Sequence, residues 1–216
     1  MAEAFVLARY HLYEQVHLHK TTRGMEKLVG KVLGQVASAA ASGEAGRIDL
    51  DGNDPLVRFF GPNGGSTEAY FNPDDTLVWA AASRMASSND CRASTLARRL
   101  PGRERLVCLD LETELPRAEG ESLEELEARR RRKAELIDSA FGTDDTVSKD
   151  APRFNAYGQI GGDVTIVRKR IAILLSDGST REITDLSPGV AALPRREVVR
   201  YYFETDRARD HARSLR

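Results

Sequence analysis

The chain has 216 residues, of which 41% are hydrophobic and 30% charged, and its 32 Lys and Arg against 33 Asp and Glu give a formal net charge of -1. A globular chain of this size can bury about 70% of its unfolded surface, which excludes wholesale disorder, and the balanced charge argues against a main role in coating nucleic acid. No apolar stretch approaches the ~18 residues that span a bilayer.

The N-terminus lacks the charge order of a secretory signal, because Glu3 precedes Arg9 within its only apolar patch. Cys91 and Cys108 form neither a disulfide framework nor a Cys-x-x-Cys metal pair. Free thiols and the lack of a signal together favour the cytosol. We therefore expect a cytoplasmic location.

The first forty residues are predicted to form one long helix. Apolar residues recur at three- and four-residue spacing over 5–16 and 28–36, without a proline. Three glycines between 24 and 34 each weaken a helix by ~1 kcal/mol relative to alanine, so any bend is expected there. The small residues of 38–46 should end the helix.

Short elements are predicted in the middle of the chain. They are a helical turn at 56–60, helices at 72–85 and 91–100, a strand at 106–111 and a helix at 121–141. Asn72, followed by Pro73 and two acidic residues, is typical of a helix start. The basic run 129–133 is predicted to be a solvated helix face, with nucleic-acid binding as the alternative.

The C-terminal part changes character. Residues 164–175 are rich in β-branched types, and Asp177-Gly178 predicts a tight turn into a second strand at 180–183. A strand at 200–203 and a polar helix at 206–215 follow. The predicted fold is mostly α with a small α+β C-terminal subdomain: a long N-terminal helix, short helices, a β-hairpin and extra strands. We place the helical part at 1–103 and the α+β part at 104–216.

One face of the first helix carries the candidate binding residues. At helical spacing the polar stripe consists of Arg9, Tyr13, His17 and Lys20. Leu12 and Val16 are expected to point toward packing. Arginine and lysine suit phosphate oxygens, and the rings can pack against a sugar or base. The alternative is a solvated face whose side chains cover neighbouring apolar surface.

The residues alone show no catalytic constellation. Among His11, His17 and His19, no pair has the i, i+4 spacing of a metal-binding helix. No Ser or Cys lies in a nucleophile elbow, and the glycine clusters do not match a phosphate-binding loop followed by a helix.

Residues 8–23, ARYHLYEQVHLHKTTR, resemble a segment found downstream of the metal site in HD-domain phosphohydrolases, in particular deoxynucleoside triphosphate triphosphohydrolases and their bacterial homologues. Further matching segments, in the family's order and over nearly the whole chain, are 24–26, 74–79, 96–100, 105–110, 174–178 and 186–188. The resemblance implies that Arg9 contacts substrate phosphate and that Tyr13 and His17 line the nucleotide site. A Tyr is usual where His17 stands.

The resemblance also implies what the chain lacks. The family holds its divalent metal with a His, a His-Asp pair and a later Asp, all placed before this helix. This sequence has no His-Asp dipeptide, only the reversed Asp210-His211 near its end. The chain thus resembles the C-terminal half of such an enzyme: the family requires a divalent metal, and this chain alone binds none.

We therefore expect part of an HD-family phosphohydrolase acting on (deoxy)nucleoside triphosphates, with no catalytic residue in this chain and no activity on its own. The alternative is a non-catalytic nucleotide-binding or regulatory partner of a separate HD-bearing chain, and a structural fragment without a ligand is a third possibility. In the family, the apolar residues of the first helix would pack against the catalytic helices, so in this chain they are expected to be exposed unless a partner covers them. Association with a second copy or an HD-bearing chain is expected, and contact with membrane or nucleic acid is not.

Overall fold

The structure is a computed structural model that describes residues 1–62, 64, 66–71, 73–154, 171–193 and 196–216, without the side chains of residues 68, 69, 153 and 196. The helices are α1 (Ala2–Leu12), α2 (Lys20–Ser42), α3 (Pro55–Phe60), α4 (Thr67–Phe71), α5 (Asp75–Met85), α6 (Cys91–Arg99), α7 (Leu111–Glu114), α8 (Leu123–Phe141), α9 (Ile183–Leu186), α10 (Pro188–Ala191) and α11 (Asp206–Ser214). A π-helical turn (Tyr13–His17) follows α1, and a 3₁₀ turn (Ala45–Ile48) follows α2. The strands are β1 (Val107–Asp110), β2 (Val147–Asp150), β3 (Arg153–Phe154), β4 (Ala172–Leu174), β5 (Thr180–Glu182), β6 (Arg196–Glu197) and β7 (Arg200–Phe203). The predicted fold class is confirmed.

The strands form small sheets. β1, β7 and β2 lie side by side in that order. β3 pairs antiparallel with β6, and β4 with β5, where Ile173 lies opposite Arg181. The predicted hairpin is thus confirmed, and its turn residue Gly178 has a φ of 80°, which glycine adopts readily. Residues 164–170 of the predicted first strand lie outside the described residues.

The predicted N-terminal helix extends to Ser42 but is interrupted. After the π turn, Leu18 leaves helical geometry at φ -95° and ψ 6°, and α2 begins at Lys20. The Nδ1 atom of His19 accepts a hydrogen bond from the Thr21 N–H at 3.3 Å and so covers one of the open donors of the new helix. The sequence predicts a bend at the three glycines, whereas the break in the structure falls before them.

Side-chain caps determine where two helices begin. Asp74 accepts a hydrogen bond from the Leu77 N–H at 2.9 Å and starts α5 slightly later than predicted; Asn72, the predicted cap, lies outside the described residues. Ser122 and Glu125 form a reciprocal capping box that starts α8. Both starts follow from a side-chain acceptor that lies directly before the first helical residue.

The described residues divide into two compact units. The first comprises Met1–Thr22, Leu109–Tyr201 and Asp210–Arg216, and the second comprises Arg23–Cys108 and Tyr202–Arg209. The division proposed from the sequence, 1–103 and 104–216, assigns the first 22 residues to the helical part, whereas the first compact unit joins them to C-terminal residues. In the described part of the chain, no helix combines the length and apolar character needed to cross a bilayer.

The second unit is built around one face of α2. Leu28, Val32 and Val36, each four residues apart, are almost completely buried. They share a hydrophobic cluster with Met85 of α5 and Leu96 of α6. Packing of this stripe, rather than the propensity of a glycine-containing sequence, therefore stabilises the helix.

A buried carboxylate links the helices of the second unit. Arg92 donates to both carboxylate oxygens of Glu204, at 2.5 and 2.9 Å, and the Lys31 Nζ atom lies 3.3 Å from one of them. Arg99 donates to the backbone carbonyl of Glu204 at 2.7 Å. These contacts tie α2 and α6 to the segment that follows β7.

The basic run on α8 is only partly a solvated face. Arg129 donates to both carboxylate oxygens of Glu121, each at 2.9 Å. The other acceptors are backbone carbonyls: Arg129 donates to Pro116, Arg130 to Glu112 and Leu115, and Lys133 to Arg213 and Leu215. Three of the five cations thus hold neighbouring segments of the first unit against α8. Arg131 and Arg132 are exposed, as expected of a solvated face.

Glu121 is held in its charged form. Hydrogen bonds from Arg129, and then from the backbone N–H of Ala118, lower the pKa of Glu121 to about 2. A carboxyl group whose pKa is lower in the folded state than in the unfolded chain stabilises the fold above the unfolded pKa, near 4.3. That contribution is lost as the pH falls toward 2.

Replacing Gly24 by alanine should destabilise the protein. A Cβ atom at this position would lie 2.9 Å from Cε1 of the fully buried Tyr202 ring, so the ring or helix must shift. We expect Gly24→Ala to lower the free energy of unfolding by about 1–3 kcal/mol, measured by urea denaturation. Gly30→Ala, in the same helix with no atom within 4 Å of its Cβ, is the matched control and should raise it by about 0.5–1 kcal/mol. Equal effects at both positions would contradict the close approach.

Replacing Glu121 by glutamine should change the pH dependence of stability. The free-energy difference between wild type and Glu121→Gln should be largest above about pH 4.3 and should shrink as the pH falls to 2. Urea denaturation at a series of pH values measures this difference. Glu127→Gln, an exposed position on the same helix, serves as the control. A difference for Glu121→Gln that does not vary over this range would contradict the assigned pKa.

Candidate functional site

The predicted polar stripe is centred on the π-helical turn. The N–H of Leu18 donates to the carbonyl of Tyr13 at 2.8 Å, a bond across five residues instead of the four of an α-helix. Such turns add one residue to a helix and occur frequently at functional sites. The turn therefore sets the directions in which Tyr13 and His17 project.

The structure brings Arg9, Tyr13 and His17 together. The guanidinium carbon of Arg9 lies 5.5 Å from the centroid of the Tyr13 ring, within range of a cation–π interaction. The rings of Tyr13 and His17 have centroids 4.8 Å apart at an angle of 54°. Arg9 and His17 are exposed, and Tyr13 is partly buried between them. We call these three residues the anion edge.

Tyr13 is fixed by aromatic stacking. Its ring lies parallel to that of Phe154, with centroids 4.3 Å apart at 10°. Phe154 is buried and forms a small cluster with Leu18, against which Tyr10 also packs. The central ring of the anion edge therefore rests on a packed support, and its position is set before any ligand binds.

The expected packing directions of Leu12 and Val16 are wrong. These side chains are 49% and 48% exposed, and Phe5 on the same helix is 61% exposed. The buried residue of this helix is Val6, which packs with Ile183 and Val190 of the first unit. The prediction assumed one regular helix and assigned the apolar residues to its packed side.

Lys20 lies beyond the interruption. It is the exposed first residue of α2, so the regular helical spacing that groups it with His17 no longer applies. Its membership of the binding face stays a prediction.

The described residues do not fit a metal site. No three side chains among the His, Cys, Asp and Glu of the described ranges lie close enough to hold an ion. Catalytic zinc sites use three protein ligands. No metal-dependent step is therefore assigned to these residues.

Two cavities among the described residues have linings that do not include the anion edge. A groove of about 930 Å³ runs along α8 in the first unit, and a cavity of about 350 Å³ lies beside the end of α2 in the second. Neither is lined by Arg9, Tyr13 or His17.

Two supporting residues are missed by the sequence analysis. Phe154 belongs to a two-residue strand and carries no local signal of its role. Arg200 was assigned only to a strand, yet it donates to the carbonyl of Leu18 directly after the π turn. Both contacts join positions far apart in the chain, and spacing patterns do not reveal such pairs.

Two solved structures share this fold. A phosphohydrolase from Bacteroides thetaiotaomicron matches 93% of this chain over 48% of its own length, with a TM-score of 0.59 and 23% identity. A hypothetical protein from Aquifex aeolicus matches 99% of this chain over 44% of its own length, with a TM-score of 0.57 and 19% identity. No family model and no curated protein matches the sequence. The chain thus spans about half the length of these two structures and is similar in fold to that half.

Proposed function

We propose that this chain is the C-terminal portion of an HD-type metal-dependent phosphohydrolase acting on deoxynucleoside triphosphates, and that the anion edge binds the substrate. The observation that carries the proposal is the grouping of Arg9, Tyr13 and His17 on a π turn. The likeness of the fold to about half of a phosphohydrolase supports it.

The chemistry of the anion edge suits a nucleoside triphosphate. Arg9 presents a planar guanidinium that can donate two parallel hydrogen bonds to phosphate oxygens. Tyr13 offers a ring for contact with a sugar or base, and its stacking on Phe154 lowers the entropy cost of ordering it. His17 can add a donor at the other side of that ring.

A second candidate is a non-catalytic nucleotide-binding or regulatory chain. The observation that favours it is the exposure of Phe5, Leu12 and Val16 on α1, which a partner chain would cover. This second candidate would act as the partner of a separate HD-bearing chain, and its nucleotide-binding form would use the anion edge without taking part in hydrolysis.

Arg9→Ala should weaken binding of a triphosphate. We expect a loss of about tenfold or more in affinity for dATP, because a hydrogen bond to a charged group contributes about 1.5–3 kcal/mol. Calorimetric titration measures the affinity, and the ligand-dependent rise in Tm gives a second readout. Tripolyphosphate as a second probe separates phosphate contacts from those to sugar and base.

Arg131→Ala, which removes an exposed cation from α8, is the matched control for this substitution and should leave dATP affinity unchanged. Equal affinity in wild type and Arg9→Ala, or no binding by either protein, would remove Arg9 from the site. The isolated chain should not hydrolyse dATP when Mg²⁺ or Mn²⁺ is added. Hydrolysis that a chelator abolishes would show that the chain has its own metal ligands.

The exposed side of α1 is the proposed partner surface. Phe5, Leu12 and Val16, with the exposed Ala8 between them, form what we call the apolar stripe. Adjoining large apolar side chains on a surface usually mark an interface. About half of each matching structure has no counterpart in this chain, so we propose that a separate HD-bearing polypeptide, carrying that half, covers the stripe. In the isolated chain, a second copy should cover it instead.

Charged substitutions in the apolar stripe should abolish self-association. We expect light scattering to show a concentration-dependent increase in mass for wild type and a monomer for the double variant Phe5→Glu/Leu12→Glu. Leu123→Glu, which changes another exposed apolar residue on α8, should associate like wild type. A wild-type chain that stays monomeric at high concentration would rule out the stripe as a self-association surface.

A further inference from the structure

Arg200 connects three segments of the first unit. From β7, its Nε atom donates to the Asp110 carboxylate at the end of β1, at 2.6 Å. Its Nη1 atom donates to the backbone carbonyl of Leu18, the residue directly after the π turn. The side chains of Arg200 and Asp110 are only 12% and 13% exposed. The guanidinium is thus held in a largely desolvated position with partners on two sides.

The Leu18 carbonyl is a group that needs a partner. The last backbone carbonyls of a helix have no N–H within that helix to accept from. A buried carbonyl that stays without a hydrogen bond destabilises the fold. The N–H of Leu18 closes the π turn on Tyr13, while its side chain packs in the cluster with Phe154. All three groups of Leu18 are therefore held. Its N–H closes the turn, its side chain is packed, and its carbonyl accepts the hydrogen bond from Arg200.

Asp110 orients the guanidinium. One oxygen of its carboxylate accepts from Arg200, and the other accepts the Glu112 N–H at 3.0 Å, which caps α7. The carboxylate is thereby fixed by the start of a helix. Arginine suits this position because its planar fork can serve a carboxylate and a carbonyl at once, which the single ammonium of lysine does less well.

We propose that Arg200, oriented by Asp110, is a positioning residue for the anion edge. It holds the end of the π turn and so maintains the mutual geometry of Tyr13 and His17, without contacting the ligand. The effect on binding rests on the proposed function, whereas the effect on the geometry of the two rings does not.

The test uses Arg200→Met in the full chain, which keeps the length of the side chain and removes its donors. Two quantities are measured: the nuclear Overhauser effects between the Tyr13 and His17 rings, and the affinity for dATP. We expect the ring–ring effects to weaken strongly and the affinity to fall about tenfold. Arg200→Lys and Asp110→Asn should move both quantities in the same direction by smaller amounts, and they replace Arg200→Met if that variant does not fold.

Tyr201→Phe is the matched control, because it lies next to Arg200 in β7 and loses the hydroxyl contacts with Asp138 and Ala134. It should lower Tm while the ring–ring effects and the dATP affinity stay at wild-type values. A similar loss of both quantities in Tyr201→Phe would show that general destabilisation is the cause and would overturn the proposal.

The remaining outcomes separate this proposal from the proposed function. The positioning role is overturned if Arg200→Met keeps the ring–ring effects, or if it loses them without any change in dATP affinity. In either case the proposed function stands if Arg9→Ala abolishes dATP binding. If wild type binds no dATP but Arg200→Met still loses the ring–ring effects, the geometric role of Arg200 is supported and the proposed function fails.

Discussion

The hydrogen bond from the Leu18 N–H to the Tyr13 carbonyl is the interaction on which the candidate site depends. It closes a turn that contains one residue more than a turn of an α-helix. The helix ends there, where Leu18 packs against Phe154. Tyr13 serves both sides of this arrangement. Its carbonyl completes the turn, and its ring lies between a buried phenylalanine and two exposed polar side chains.

Several charged side chains of the described residues connect segments within a unit. Arg200 bridges a carboxylate and a helix-end carbonyl, Arg130 and Lys133 bind backbone carbonyls, and Glu204 accepts hydrogen bonds from another arginine. A chain with 30% charged residues and almost no net charge can engage its cations in this way. Arg9 differs from them because it is exposed beside the Tyr13 ring, and this difference is the basis of the proposal that it binds a ligand.

Much of the fold could be predicted from local sequence. Helices that begin with their own side-chain acceptor, such as α8 after Ser122, and the hairpin around Gly178 depend on residues a few positions apart. Helical spacing also predicted that Arg9, Tyr13 and His17 lie on one side of the helix, and their role in binding stays a prediction. The π turn could not be found, because Leu18, which closes it, is buried against Phe154, 136 residues away in sequence. The packed side of α1 was misassigned for the same reason.

The extra residue in the turn has a consequence for how the helix can change in evolution. Each residue advances an α-helix by about 100°, since a full turn takes 3.6 residues. Deleting one position from the turn would rotate everything before it by that angle, so that Phe5 would occupy the direction now taken by Val6. A single-codon deletion at 14–16 would thus turn the sheltered side of α1 by about 100° and change the position of Tyr13 relative to His17, while all three side chains of the anion edge are retained.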